Sequence, residues 1–489
     1  MSKFLSNMIK LSTSTLTGQM LGFLVTPLFS RLYSPADFGL FQLFVSIVGI
    51  IAPVSCLSYF YAILLPEKDE DSATVVVLCS FLIAVTSFVT TIFLFFFSDY
   101  IEKILHAPGF TMYLVLLPFA IGFSSFAYMF GYWLSRREEF GTIAKANIYS
   151  SFAGKGITAG YGFIAPSPFG LIFGSMVNDA TICVIFGRKI LDGFLIFANT
   201  SYEKIWQLAL RYKKFPLYSM SSDLAGNASV QVTPFLLALF FSPVIVGYYS
   251  MAYLILRLPS KLIGNAIGTV FFQRASSEKN LTGSVKTVVK LVHTRLLSLG
   301  MFACLIVIII GPELFSFILG ARWETSGMYA QIFAPCFFVA FISTPLGFIY
   351  NVLEEQAVSL WFNLLLLGSS LVALVIGGLS GNPVVGMILL SAAGVIFWGW
   401  MNMYSLKIAG VPMREAGIEM GKFFAAGVCA CLPLIAGKLL SLPSNLLILI
   451  AAVLSFFYYS VIVWYDLQLR TGFFRFFEGI FRKLKKFNR

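Results

Sequence analysis

The sequence predicts an all-α polytopic membrane protein with about fourteen transmembrane helices. Of its 489 residues, 58% are hydrophobic and only 11% are charged, whereas soluble domains average roughly 45–50% and 25%. Apolar runs bounded by Pro, Gly or polar residues recur about fourteen times, each near the roughly 20 residues that a helix needs to cross the hydrocarbon core. This composition excludes a soluble globular protein and leaves room only for short connections.

The predicted spans follow one another closely along the chain. Their approximate ranges are 11–30, 38–65, 73–97, 111–134, 142–164, 168–187, 217–240, 244–272, 287–311, 327–351, 357–379, 384–406, 417–437 and 446–465. The fifth and seventh are the weakest because they contain Lys155 and Asp223.

The distribution of the cations predicts the orientation of the spans. With connections alternating between two sides, about 23 of the 34 Lys and Arg residues fall on one side and about four on the other. The four are Arg31, Lys103, Arg322 and Lys438. Because cytoplasmic connections carry the excess of Lys and Arg, both termini are predicted to be cytoplasmic. The net charge of +12 therefore reflects topology, and nucleic acid is not expected as a partner.

An internal repeat predicts the domain organisation. Residues 25–41, VTPLFSRLYSPADFGLF, resemble residues 232–249, VTPFLLALFFSPVIVGYY. Six spans separate the copies, so both enter the membrane in the same direction, as in bundles related by a pseudo-twofold axis along the membrane normal. The predicted segments are a six-helix bundle over 1–187, a basic cytoplasmic linker over 188–216, a second six-helix bundle over 217–406, two additional helices over 407–465 and a cytoplasmic amphipathic basic tail over 466–489.

Ionisable residues inside the spans are the first candidates for function, because each costs at least about 2.5–3.5 kcal/mol at a helix centre unless a partner or water relieves it. Lys155, Arg257 and Lys261 are predicted to bind an anionic substrate in a hydrated central cavity. Lys261 lies nearer the cytoplasmic side, so its ammonium could instead extend along the helix to the membrane–water interface. Lys155 and Asp179 have similar predicted depths, so a structural ion pair between them is an equally open alternative.

Further polar residues complete the predicted site. Those expected in the cavity, as partners of sugar hydroxyls or as interhelical hydrogen bonds, are Gln19, Asn147, Asn178, Asn227 and Gln231. Asp179, Asp223 and His293 are further ionisable residues in the predicted spans. The seven Cys lie in apolar runs without a CxxC pair, so we expect no metal site. Motifs of soluble enzymes are missing from the sequence, so we expect no catalytic residue and no cofactor.

The end of the chain has a distinct pattern. Between residues 470 and 489, apolar side chains recur at helical spacing among several cations; they are Phe473, Phe477, Ile480, Leu484 and Phe487. This pattern is typical of a helix that lies on anionic cytoplasmic lipid.

Four motifs carry a resemblance to a known family: Arg31 to Gly39 (RLYSPADFG), Trp133 to Asn147 with Arg136-Arg137 inside it, Leu258-Pro259 with 271–274, and Leu319 to Trp323 (LGARW). They resemble motifs of the polysaccharide-transport branch, the Wzx-type O-antigen or repeat-unit flippases, of the multidrug/oligosaccharidyl-lipid/polysaccharide exporter superfamily. In this family Arg31 and Asp37 would form a turn or gate at the outer end of the first span.

The resemblance implies a function without enzymatic activity. The substrate would be an undecaprenyl diphosphate-linked oligosaccharide, moved from the cytoplasmic to the periplasmic leaflet of the bacterial inner membrane. The mechanism would be alternating access around a cationic cavity, coupled to H⁺ or Na⁺. Asp179, Asp223 and His293 would be the candidates for carrying the coupling ion. Lipid-linked oligosaccharide, anionic membrane lipid and other polysaccharide-assembly membrane proteins are the implied partners.

The sequence leaves three alternative functions open. A lipid II flippase has similar requirements, and a drug exporter of the MATE type shares the fold but usually has twelve spans and a cavity rich in carboxylates. A membrane glycan polymerase needs a large hydrophilic loop with catalytic residues, whereas this chain has two His and a longest internal connection of about 29 residues.

Replacing Lys155 or Arg257 by Ala removes a cation from the predicted cavity, so each variant should abolish surface polysaccharide. Polysaccharide is measured together with the amount of protein in the membrane. Normal polysaccharide at a normal protein level would contradict the cationic cavity. Rescue of Lys155→Ala by Asp179→Ala would instead identify a structural ion pair.

Overall fold

The computed structural model describes residues 3–191, 200–261, 271, 274–275, 277–279, 281–353 and 355–465. Within these ranges there are fourteen helices of 17 residues or more, and no strand. Three shorter α-helices accompany them in the same ranges: Thr111–Leu114, Ile349–Leu353 and the ten-residue helix Tyr202–Arg211 (α7). In chain order, the long helices and α7 are α1 (Lys3–Leu32), α2 (Pro35–Ile51), α3 (Asp69–Ile104), α4 (Leu117–Arg136), α5 (Phe140–Ile164), α6 (Pro168–Leu191), α7 (Tyr202–Arg211), α8 (Met220–Phe240), α9 (Pro243–Pro259), α10 (Lys286–Leu319), α11 (Glu324–Ser343), α12 (Gln356–Leu379), α13 (Pro383–Ile408), α14 (Met413–Leu439) and α15 (Ser444–Tyr465).

The predicted all-α class and the number of spans are confirmed. Among the described residues, nine helices are long and apolar enough to cross a membrane, judged by length and composition. Five long helices fall short of the same limits of length and composition: α1, α4, α5, α8 and α9. These helices carry most of the polar residues expected in the cavity, so they depend on neighbouring helices to shield their polar faces.

Contacts within the chain group it into two compact units. One contains Met1–Met251 and Leu374–Gly386, and the other contains Ala252–Ala373 and Met387–Arg489. The first unit includes α8, which the sequence assigns to the second bundle. The bundle boundaries inferred from the repeat therefore remain a prediction.

The second predicted span is not one continuous helix. α2 ends at Ile51, and two short 3₁₀ segments follow, Ala52–Val54 and Tyr59–Leu64. Between them Leu57 and Ser58 adopt left-handed backbone conformations, with φ of 54° and 59°. The expectation of a single helix over 38–65 is therefore wrong, because an apolar run by itself does not reveal such a break.

The two copies of the repeat meet in a reciprocal contact inside the first unit. Pro35 begins α2 and Pro243 begins α9, and proline is favoured at this position because the first turn leaves its N–H unpaired. A side chain on Gly39 would overlap the carbonyl oxygen of Pro243, and a side chain on Gly247 would overlap that of Pro35. Such a reciprocal pairing is the arrangement expected about a twofold axis.

The N-terminal motif forms the turn that leads into this contact. The Ser34 hydroxyl accepts from the Asp37 backbone N–H at 3.2 Å, and an Asp37 carboxylate oxygen accepts from the Ser34 N–H at 2.8 Å. This capping box fixes the start of α2. Tyr33 is fully buried and donates to the Thr158 carbonyl at 2.7 Å, whereas Arg31 is exposed. The geometry thus gives Asp37 the role of a helix cap.

In the second unit, the two additional helices pack on α10. Lys290 on α10 forms an ion pair with Glu415 on α14, and Lys438 on α14 lies 3.0 Å from Glu313 near the other end of α10. On α15, the Tyr459 hydroxyl donates to the Leu299 carbonyl at 2.9 Å. These contacts attach the additional helices to α10 along its length.

Gly39→Ala and Gly247→Ala should each destabilise the protein, because the added methyl group meets backbone that cannot rotate away. Overpacking of this kind costs about 1–3 kcal/mol, which thermal unfolding of the purified protein measures as a lower Tm. Gly156→Ala in α5 is the matched control, since nothing lies within 4 Å of its added methyl group. Equal Tm values for all three variants would contradict the reciprocal contact.

Candidate functional site

A cavity of about 540 Å³ lies among α4, α5 and α6 in the first unit. Its lining residues are Leu64, Ser124, Ala127, Tyr128, Gly131, Tyr132, Ser135, Ile143, Asn147, Asp179, Ile182 and Phe186. Such a volume suits a small organic ligand or part of a larger one.

The polar groups of the cavity are hydroxyls, an amide and one carboxylate. Ser124 donates to a carboxylate oxygen of Asp179 at 2.8 Å, which orients the acid but leaves its other oxygen available. Asn147 is half-buried on α5, and its side chain makes no hydrogen bond to the described residues. No Lys or Arg is among these lining residues. The cavity therefore offers several neutral hydrogen-bonding groups and one acid.

An aromatic cluster continues from one wall of the cavity. The ring of Tyr132 lies 4.9 Å from that of Phe60 and 5.6 Å from that of Tyr61, and Tyr61 stacks on Phe215 at 6.0 Å. Rings held this close fix one another in orientation. The cluster therefore gives this wall of the cavity a rigid apolar surface.

Asp223 lies on the far side of this cluster. Its carboxylate accepts from Ser58 at 2.8 Å and from Tyr61 at 3.3 Å. The left-handed turn at Ser58 aims the first of these hydroxyls, so the break after α2 creates the Asp223 site. Asp223 on α8 thus contacts the aromatic cluster, and Asp179 on α6 lines the cavity beside Tyr132.

Ion pairs hold together one end of the first unit, beyond Ser135. Arg136 lies 3.1 Å from Asp69 and also donates to backbone carbonyls of residues 63, 64 and 67. Lys189 lies 3.3 Å from Glu139. A hydrogen bond from Thr142, supplemented by Lys189, lowers the pKa of the Glu139 carboxyl below its ordinary value. This layer gives the Arg136-Arg137 motif a structural role in fixing the 59–69 segment.

Of the predicted polar residues, Asn147 and Asp179 are brought together in the cavity. Ser124, Tyr128 and Tyr132 were not predicted. They lie at four-residue spacing on α4, which places them on one helical face, so a polar stripe in an apolar helix was the available signal.

Lys155 points to α1. Its ammonium donates to the Gly18 carbonyl at 3.4 Å, and its stem crosses Gly22. Lys155 and Asp179 are both described, and the structure forms no ion pair between them. The predicted pair is therefore absent from this structure.

Other predicted cavity residues take structural positions. Gln231 accepts from Ser46 at 3.1 Å and packs over Gly49, which joins α8 to α2. Asn227 donates to the Asp223 carbonyl at 2.7 Å within its own helix. Asn178 packs against Gly154, and Gln19 is half-buried on α1.

The remaining candidates belong to the second unit. Arg257 donates to the Tyr253 hydroxyl at 2.7 Å and lies 5.4 Å from the centre of its ring. Lys261 is exposed. His293 is buried and interacts with Asn402 and Glu419. Among the described residues, no cluster of three His, Cys, Asp or Glu could hold a metal ion, and the basic tail lies outside these residues.

A multi-pass helical fold with a polar cavity among its spans is the architecture expected of a membrane transporter. Residues 28–327 match a family described as polysaccharide biosynthesis protein. The match covers more than half of the chain, so the chain belongs to this family, as its motifs indicate. None of the curated proteins matches the sequence significantly.

Solved structures with similar folds include transporters. The structure is similar to the lipid II flippase MurJ in an inward closed conformation, with a TM-score of 0.71, 13% identity, and coverage of 93% of this chain and 98% of that chain. The MATE transporter VcmN from Vibrio cholerae has a TM-score of 0.49, 14% identity, and coverage of 83% and 96%. A multidrug resistance MATE transporter of the MOP superfamily has a TM-score of 0.47, 14% identity, and coverage of 82% and 96%. These relatives are transporters and flippases rather than enzymes.

A double-mutant cycle should separate the two partners proposed for Asp179. The cycle of Ser124→Ala with Asp179→Asn should give a coupling free energy of about 1.5–3 kcal/mol, as expected for a hydrogen bond to a charged group. Lys155→Ala with Asp179→Asn should give less than about 0.5 kcal/mol. Thermal unfolding of the purified variants measures both. Strong coupling of Lys155 to Asp179 would contradict this geometry.

Proposed function

We propose that this protein is a flippase for a lipid-linked oligosaccharide in the assembly of a surface polysaccharide such as O-antigen. The observation that carries the proposal is the cavity among α4, α5 and α6, which combines aromatic rings, hydroxyls, an amide and one carboxylate. Aromatic faces and hydrogen-bonding side chains together suit the apolar C–H faces and hydroxyl edges of a sugar. Membership of the polysaccharide biosynthesis family supports this substrate class.

In this mechanism the cavity receives a sugar of the head group. Asn147 and Tyr132 on α5 and α4 contact its hydroxyls. The ring of Tyr132, held in place by Phe60 and Tyr61, limits the orientation of the sugar. Lys155, Arg257 and Lys261 balance the charge of the diphosphate, because an uncompensated anion crosses the bilayer centre at a high free-energy cost. The lipid tail stays in the bilayer throughout.

A coupling ion supplies directionality. Asp179 is the first candidate to bind H⁺ or Na⁺, because its carboxylate lies in the sugar cavity and can respond to occupancy. Asp223 is the second, since it contacts the same aromatic cluster through Tyr61. His293 stays a candidate in the second unit, where it is buried on α10.

Alternating access requires a contact that opens and closes. The Pro35–Gly247 and Pro243–Gly39 pairs are suited to close the periplasmic side, because the charge pattern assigns the starts of α2 and α9 to that side. The protein would lie in the bacterial inner membrane with both termini in the cytoplasm, where substrate is loaded near other polysaccharide-assembly proteins.

Lipid II is the second candidate substrate. The structural similarity to MurJ, a lipid II flippase, favours this substrate. Both candidates present a sugar on a polyprenyl diphosphate, so the glycan distinguishes them.

Ala127→Phe should block transport by filling the cavity. A loss of about 1.4 kcal/mol of binding free energy weakens affinity tenfold. Flipping of a fluorescent lipid-linked oligosaccharide in proteoliposomes should therefore fall at least tenfold. Ala84→Phe on the exposed face of α3 is the matched control. In the same assay, Asp179→Asn should remove the response to an imposed ion gradient. Full activity of Ala127→Phe would remove the cavity from the mechanism.

A further inference from the structure

The short helix α7 has one face that remains exposed although it is apolar. Tyr202, Trp206 and Leu210 are exposed to 81%, 59% and 51%. Their spacing of four residues places them in one stripe along the helix. Leu217 and Tyr218, just beyond the helix, extend the exposed apolar surface. Large apolar side chains in such a contiguous patch mark an interaction surface.

The opposite face of α7 is fixed to the first unit. Leu208 is buried in the same core as the 59–64 segment, and the Tyr59 hydroxyl donates to the Ala209 carbonyl at 3.0 Å. Lys204 lies 2.9 Å from Asp71 at the start of α3, and Ser201 caps the helix. The exposed stripe is therefore presented in a defined direction.

Cations follow the stripe at once. Arg211, Lys213 and Lys214 are all exposed, and α8 begins at Met220, close behind them. Since α8 crosses the membrane, these cations lie within a few residues of the bilayer surface. Tyr and Trp are the residues that prefer the head-group region, where a ring contacts acyl chain and a polar edge contacts water.

We propose that the exposed face of α7, with Arg211, Lys213 and Lys214, binds anionic phospholipid head groups of the leaflet at which α8 begins. The rings of Tyr202 and Trp206 would lie at the boundary between head groups and acyl chains, while the three cations contact lipid phosphates. This division of apolar and basic groups is typical of helices that lie in the membrane plane. The occupant is bilayer lipid, which surrounds this part of the protein at high concentration.

The position of α7 gives the lipid contact a consequence for the cavity. α7 holds the 59–64 segment through Tyr59, and that segment contributes Tyr61 to the aromatic cluster beside Tyr132. Phe215, directly after α7, stacks on Tyr61. Lipid bound to α7 would therefore hold the aromatic wall at a fixed distance from the membrane surface.

The basic part of the proposal is tested by adding phosphatidylglycerol or phosphatidylcholine to the purified full-length protein in detergent and measuring Tm. Phosphatidylglycerol should raise Tm of the unaltered protein more than phosphatidylcholine does. The triple variant Arg211→Gln, Lys213→Gln, Lys214→Gln should bind phosphatidylglycerol roughly 100-fold more weakly and lose most of this rise. The triple variant Lys68→Gln, Lys103→Gln, Lys145→Gln removes the same charge from other exposed positions and should retain the rise.

The apolar part is tested in vesicles of phosphatidylethanolamine and phosphatidylglycerol. Phospholipids brominated near the head group should quench Trp206, measured as the difference between the unaltered protein and Trp206→Phe, and aqueous iodide should quench it little. Quenching by iodide alone would overturn the proposal. Equal loss of the Tm rise in both triple variants would also overturn it. A third result would overturn it as well: a short-chain polyprenyl diphosphate raises Tm in a way that depends on Arg211, Lys213 and Lys214, while phosphatidylglycerol does not. The surface would then bind substrate rather than phospholipid.

Discussion

The structure depends on one constraint: hydrocarbon offers no hydrogen-bond partner, so each polar group in a span must find one inside the protein. In the first unit the less apolar helix α8 meets this requirement through α2 and the segment that follows it, and Lys155 on α5 meets it through α1. Asp223 is satisfied by Ser58 and Tyr61 across helices, and Gln231 by Ser46. At the cavity, the Asn147 side chain and one carboxylate oxygen of Asp179 have no hydrogen-bond partner among the described residues. Half-buried polar groups of this kind can orient a ligand.

Helices in lipid gain little from hydrophobic association, so close packing of small residues supplies much of their attraction. Gly39 and Gly247 allow such close packing where the two repeat copies meet, and Gly154 and Gly174 allow it between α5 and α6. A contact made of backbone and hydrogen atoms has no interlocked side chains to separate. It therefore suits the contact that would open and close in the proposed mechanism.

The chemistry of the cavity also changes the emphasis of the mechanism. A cavity rich in cations would recognise the diphosphate, which all lipid-linked oligosaccharides share. The cavity among α4, α5 and α6 instead presents rings, hydroxyls, an amide and an acid, groups that suit the recognition of a sugar. In the proposed mechanism, α4–α6 would therefore select the glycan, while Lys155, Arg257 and Lys261 would compensate the diphosphate charge.

The sequence by itself determined the class, the number of spans and the family, because hydropathy, charge asymmetry and short motifs are local properties of the chain. It also indicated Asn147 and Asp179, since a polar residue in a span is visible as such. Only the tertiary structure decided that Lys155 turns to Gly18, that Asp37 is a helix cap, and that Ser58 reaches Asp223 from a left-handed turn. Partners distant in sequence depend on helix rotation and on breaks such as the one after α2, and a hydropathy pattern specifies neither.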